Sequence, residues 1–139
     1  PDVTSLVEIA HAVVDAGADG VSVINTILGM AIDHRTLRPY LGGRTGGLSG
    51  PAIRPVAVRA VYQIRAAFPQ LPILGMGGIR TGLDALEFLA AGANALIVGT
   101  AVFADPGAPL RIQRELEHEL SVRGFDSLEQ VISIAHQEA

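Results

Sequence analysis

Six residues near the start of the chain, Ala16-Gly17-Ala18-Asp19-Gly20-Val21, return later as Ala91-Gly92-Ala93-Asn94-Ala95-Leu96. Each copy follows a stretch of helical apolar spacing, halts it at a glycine, turns, and enters a short apolar strand. A threonine follows each strand, Thr26 in one copy and Thr100 in the other. The separation is close to two βα units. A helix–turn–strand signal that repeats in this way points to parallel strands joined by helices, and to a quasi-repeating barrel rather than an open sheet.

The rest of the chain fits that rhythm. Ser5-Leu6-Val7-Glu8 has the form of a capping box, and Leu6, Ile9, Ala10, Val13 and Val14 follow at helical spacing. Val21 to Ile24 reads as a strand, residues 26–50 as a long glycine-rich excursion, and Pro51 as the opening of a helix that ends at Phe68-Pro69. Pro72 to Gly75 is the next strand, a helix starts near Gly82, and Ala95 to Val98 is the third strand. Helices over Pro109–Arg123 and Leu128–Gln137 complete the order α-β-loop-α-β-α-β-α-α. Near-continuous apolar strands predict a parallel sheet covered on both faces. Three strands cannot close a (β/α)8 barrel, so the remainder is expected from another chain or a longer protein. A first residue of Pro1 instead of Met suits that expectation.

Composition removes several functions. The 139 residues amount to one ordinary domain at most, and 49% are hydrophobic, enough for a core. A net charge of −4, no basic run and no tryptophan argue against nucleic-acid binding. Without cysteine there is no disulfide, thiolate metal site or cysteine nucleophile within the chain. No apolar run reaches membrane-span length and no signal peptide is recognisable, so the expected location is cytoplasmic.

The chemistry is expected at the strand ends. Gly75-Met76-Gly77-Gly78-Ile79-Arg80 follows the second strand, and Gly99-Thr100 follows the third. At one strand end such glycines need only permit a tight turn. On successive strands, each ahead of a helix, Gly77-Gly78 and Gly99-Thr100 predict a backbone cup for the phosphate of a nucleotide-like cofactor. Asn25 and Thr26 end the first strand with an amide and a hydroxyl, which suit a planar ligand of alternating donors and acceptors, although asparagine also simply turns a chain. Thr45 to Pro51 is a third glycine-rich helix entry, with Ser49 as a possible N-cap. Arg44, Arg54 and Arg80 are candidate phosphate charges. Asp33 reads as a turn former, and the histidines lack metal-ligand spacing.

Ile24-Asn25-Thr26, then Leu28-Gly29-Met30-Ala31-Ile32-Asp33, then Thr45-Gly46-Gly47-Leu48-Ser49-Gly50-Pro51-Ala52-Ile53 resemble dihydroorotate dehydrogenase. Gly75-Met76-Gly77-Gly78-Ile79 and Val98-Gly99-Thr100-Ala101 extend the resemblance in the same order, and it is closest to the class 1B, NAD-linked bacterial enzymes. The resemblance implies that residues 1–139 are a single partial domain, the carboxyl-terminal part of an FMN-binding TIM barrel with about three or four of its parallel strands and helices outside. It implies FMN contacts at Ile24, Gly50, Gly77, Gly78, Gly99 and Thr100, and dihydroorotate or orotate contacts at Asn25 and Thr26. It implies an electron-transfer subunit carrying FAD and an iron–sulfur cluster, in a homodimer or heterotetramer. In the family the catalytic base is a cysteine, or a serine in the membrane-linked class, and a lysine faces the flavin. Both belong to the amino-terminal half, so no catalytic residue is assigned here and the chain alone is expected to be inactive. The competing expectations are another FMN barrel, like the pyrimidine-reducing domain of dihydropyrimidine dehydrogenase, and a non-catalytic half-barrel that binds a phosphate ligand.

Overall fold

The computed structural model describes residues 3–137, so Pro1 lies outside it. Helix α1 (Leu6–Asp15) begins where the Ser5 hydroxyl accepts the Glu8 amide at 3.3 Å, the half of the expected capping box that forms. Strand β1 (Val21–Val23) follows, then β2 (Ile27–Gly29) and β3 (Gly46–Leu48), and a 3-10 turn at Pro51–Ile53 leads into α2 (Arg54–Ala67). The chain continues through β4 (Ile73–Met76), α3 (Gly82–Ala91), β5 (Ala95–Ile97), α4 (Ala101–Ala104) and α5 (Ala108–Val122).

Strands β1, β4 and β5 form a parallel sheet in the order β1-β4-β5, with Val21 opposite Ile73 and Leu74 opposite Ala95. The two copies of the repeat therefore flank the same central strand. Gly17 and Gly92 both take left-handed φ, +97° and +117°, which ends α1 and α3 and redirects the chain into β1 and β5. Each strand entry then bonds to the chain of β4: the Val21 amide to the Pro72 carbonyl at 2.9 Å, and the Asn94 amide to the Ile73 carbonyl at 2.8 Å.

The core lies between the sheet and its helices, with Val61 and Ile64 of α2, Ile73 of β4, and Phe88 and Leu89 of α3 wholly buried. Arg65 is buried among them without a carboxylate. Its guanidinium donates to the Gly92, Phe68 and Pro69 carbonyls and to Asn94 Oδ1, and Asn94 Oδ1 also accepts the Ile73 amide. Burial lowers the Arg65 pKa from its usual value, and the ring of carbonyl acceptors still holds the charge.

Three expectations need correction. The sheet is covered on one face only: Leu74 is 43% exposed and Ile97 40%, while Ile73 and Gly75 face the helices. Apolar side chains on both faces of a strand identify a surface that something must cover, but not what covers it. Residues 26–50 are not irregular throughout, because β2 and β3 pair antiparallel with Ile27 opposite Leu48 and Gly29 opposite Gly46. Strands of three residues, one half glycine, leave no alternation to read. Residues 128–137 form two 3-10 turns, Leu128–Gln130 and Ile134–His136, in place of a helix. Ser133 between them takes φ +68° so that its amide reaches the Leu89 carbonyl at 3.0 Å, and docking onto α3 overrides helical spacing. His136 completes that docking, stacked on Tyr62 at 3.9 Å with Nε2 3.0 Å from the Ala91 carbonyl.

Candidate functional site

The carboxyl ends of β1, β4 and β5 converge with the turn before α2 on a cleft of about 130 Å³. Ile24, Asn25, Thr26, Gly50, Gly77, Gly78, Gly99 and Thr100 all line it, whereas the candidate phosphate charges Arg44, Arg54 and Arg80 do not. Ser49, from the glycine-rich entry Thr45 to Pro51, lines it as well, and so do Ile53, Met76 and Ile97, which were not expected. A second cleft, about 260 Å³, adjoins it through Gly50, Gly78, Gly99 and Thr100 and is lined further by Arg80 and Arg111.

The glycines of this cup differ in why they are glycine. Gly77 and Gly78 take φ of +133° and +83°. A Cβ on Gly77 would lie 2.7 Å from the Ala57 methyl, and one on Gly78 would lie 2.6 Å from the Gly50 carbonyl oxygen. Packing within the protein accounts for both. Gly99 has no positive φ, and a Cβ there would meet nothing within 4 Å. Its bare backbone faces open space in the cleft, so packing among the described residues does not require a glycine there.

The amides lining the cup come from strand-end turns and from Thr100 at the start of α4, not from α3. The α3 terminus is already saturated: Asp84 Oδ2 accepts the Arg80 and Thr81 amides, Thr81 Oγ1 accepts the Asp84 amide, and Glu115 Oε2 accepts the Gly82 amide. Asp84 is held in turn by Arg54, and Glu115 by Arg111. The Arg111 guanidinium, then the Gly82 amide, lower the Glu115 pKa, and Glu115 and Asp105 raise that of Arg111. The amides of Gly78, Gly99 and Thr100 donate to no group among the described residues. Thr81-x-x-Asp84 is itself a recognisable capping signal, and reading it would have removed α3 as an anion site in advance.

Other candidates resolve individually. Ser49 is not an N-cap; Gly50 holds that position before Pro51–Ile53, with no side-chain bond. Arg54 is paired with Asp84 and Glu87. Asp33 Oδ1 accepts the Arg35 and Thr36 amides and turns the chain, and those two bonds lower its pKa. The Ile24 amide is engaged by the Met76 carbonyl at 2.9 Å. Asn25 Oδ1 accepts the Thr26 amide at 2.7 Å. The turn role of Asn25 is therefore real: its side-chain oxygen is engaged by the Thr26 amide, and its Nδ2 donates in none of the hydrogen bonds among the described residues.

A family profile described as dihydroorotate dehydrogenase matches residues 1–120. The chain is 53% identical to the dihydroorotate dehydrogenase B (NAD(+)) catalytic subunit of Desulforamulus reducens, over 98% of this chain and 44% of that protein. It is 52% identical to the subunit of the same name from Geobacter sulfurreducens, over 95% of this chain and 43% of that protein. The Bacillus thuringiensis subunit is 52% identical over 92% of this chain and 41% of its own length. The chain thus spans less than half the length of the curated relatives it matches.

Proposed function

The chain belongs to the dihydroorotate dehydrogenase family, and on that premise we propose that it forms the flavin-phosphate and pyrimidine-binding part of an FMN-dependent, NAD-linked enzyme. The reaction is the oxidation of dihydroorotate to orotate in pyrimidine synthesis. FMN, when bound, supplies the hydride acceptor. The chain's own residues bind and orient. The amides of Gly78, Gly99 and Thr100 hold the phosphate end, the Gly50 and Ile24 backbone borders the cofactor, and Asn25 and Thr26 bond the pyrimidine ring. Gly99 carries this reading, because protein packing gives no reason for its missing side chain.

No side chain lining the smaller cleft titrates near neutral pH. On this reading the base that removes the substrate proton is supplied from elsewhere in the enzyme. The open sheet face with Leu74 and Ile97, and the apolar trough of about 510 Å³ between β5 and α5, favour a partial barrel completed by further strands. The names of the relatives, each a catalytic subunit, support a partner subunit; an FAD and iron–sulfur electron-transfer role for that partner, in a homodimeric or heterotetrameric cytoplasmic enzyme, rests on the family resemblance alone. No helix among the described residues is long and apolar enough to cross a membrane.

The test is Gly99→Val in the protein's natural full-length context. The variant should purify without FMN while the thermal midpoint of the flavin-free protein stays unchanged. Stoichiometric FMN on the variant would remove the cradle.

A further inference from the structure

We infer that Arg80 makes this site select a phosphate monoester dianion over the uncharged alcohol of the same ligand, an inference that rests on the flavin-phosphate reading above. Three neutral amides can orient phosphate oxygens, but they leave a double negative charge uncompensated. Two arginines line the larger cleft, Arg80 and Arg111. Arg111 is neutralised within the protein, by Asp105 at 3.0 Å and Glu115 at 2.7 Å. Asp105, the acid lining the same cleft, is held by Arg111 and by the Gly107 amide. Arg54 on the neighbouring helix is likewise neutralised, by Asp84 and Glu87. Arg80 has no anionic partner among the described residues, so it is the uncompensated charge of the cleft.

Its backbone is also fixed from both sides. The Arg80 amide donates to Asp84 Oδ2 at 2.8 Å, and its carbonyl accepts from the Arg111 guanidinium at 3.2 Å. The two ion pairs that neutralise the neighbouring arginines therefore anchor the residue that remains charged. Arg80 is itself exposed, and it is its backbone that is held. Its side chain starts from a clamped Cα two residues beyond the Gly78 amide, on the rim of the same cleft as Gly99 and Thr100.

Flavin affinity tests this directly, in the flavin-stripped protein in its natural full-length context. Wild type, Arg80→Ala and Arg80→Lys are titrated with FMN and with riboflavin, following flavin fluorescence at low and high salt. Arg80→Ala should weaken FMN binding about tenfold to a hundredfold, the range of one charge-assisted bond, and leave riboflavin binding unchanged. Arg80→Lys should recover part of the loss, and the salt dependence of FMN binding should flatten in the alanine variant. FMN affinity unchanged in Arg80→Ala, or an equal loss for both flavins, overturns the role of Arg80 while leaving the site in place. A wild-type protein that binds neither flavin overturns the site itself, and the inference with it.

Discussion

A methyl group added at Gly78 would lie 2.6 Å from the Gly50 carbonyl oxygen, at a φ of +83° that L-residues rarely take. Gly78→Ala should therefore destabilise the fold by about 1–3 kcal/mol, whereas Gly99→Ala should stay within about 0.5 kcal/mol of wild type, as urea midpoints would register. Equal effects at the two positions would contradict the different reasons assigned to them. The strand-end glycines were legible as a group because they stand on successive strands. Their division into packing glycines and a ligand-facing glycine was not, since it depends on Gly50 and Ala57, whose approach needs the folded chain. Arg65 was wholly illegible: within α2 it reads as an ordinary polar position, and its acceptors on Gly92 and Asn94 lie 27 and 29 residues away. Arg65→Met would leave those oxygens without their donor, and a loss of about 3 kcal/mol or more is expected in chemical denaturation.

Helix α3 shows how elements were read well and their ends poorly. Its apolar residues announce a helix, but its start is set by Thr81, Asp84 and, from α5, Glu115. Glu115 accepts the Gly82 amide and pairs with Arg111, which ties the two helices where Gly82 packs directly on the Glu115 backbone. Because folding lowers the Glu115 pKa, the folded state binds fewer protons than the unfolded state. The resulting stability is fully present above the ordinary glutamate pKa of about 4.5 and is lost as pH falls through the lowered folded value. Glu115→Gln should flatten the decline of the thermal midpoint below that pH and leave the slope near neutrality unchanged. An identical acid limb in both proteins would show that the tie contributes nothing. The hairpin of β2 and β3 escaped sequence reading because its short, glycine-rich strands carry no alternation, and the 3-10 turns after α5 escaped it because docking onto α3 overrides their helical spacing.

At the scale of the molecule, the parallel order β1-β4-β5 follows from the repeat that places matching turns on both sides of β4. The eight site residues expected from the sequence surround one cleft because all lie at the same ends of these strands or on the turn leading into α2. The open face was misread, since Leu74 and Ile97 signal burial without naming the covering surface. The proposal that the cleft orients a pyrimidine beside FMN makes Asn25 the decisive group: with its oxygen engaged by the Thr26 amide, its Nδ2 hydrogens are the donors the proposal assigns to the pyrimidine. The most direct test is anaerobic bleaching of flavin absorbance by dihydroorotate, in the protein's natural full-length context, for wild type and Asn25→Ala. Wild type should hold FMN and bleach on adding dihydroorotate, and Asn25→Ala should hold FMN equally while bleaching at least tenfold more slowly at limiting dihydroorotate. A flavin that dihydroorotate fails to bleach, or one bleached equally fast without the Asn25 amide, would contradict the account.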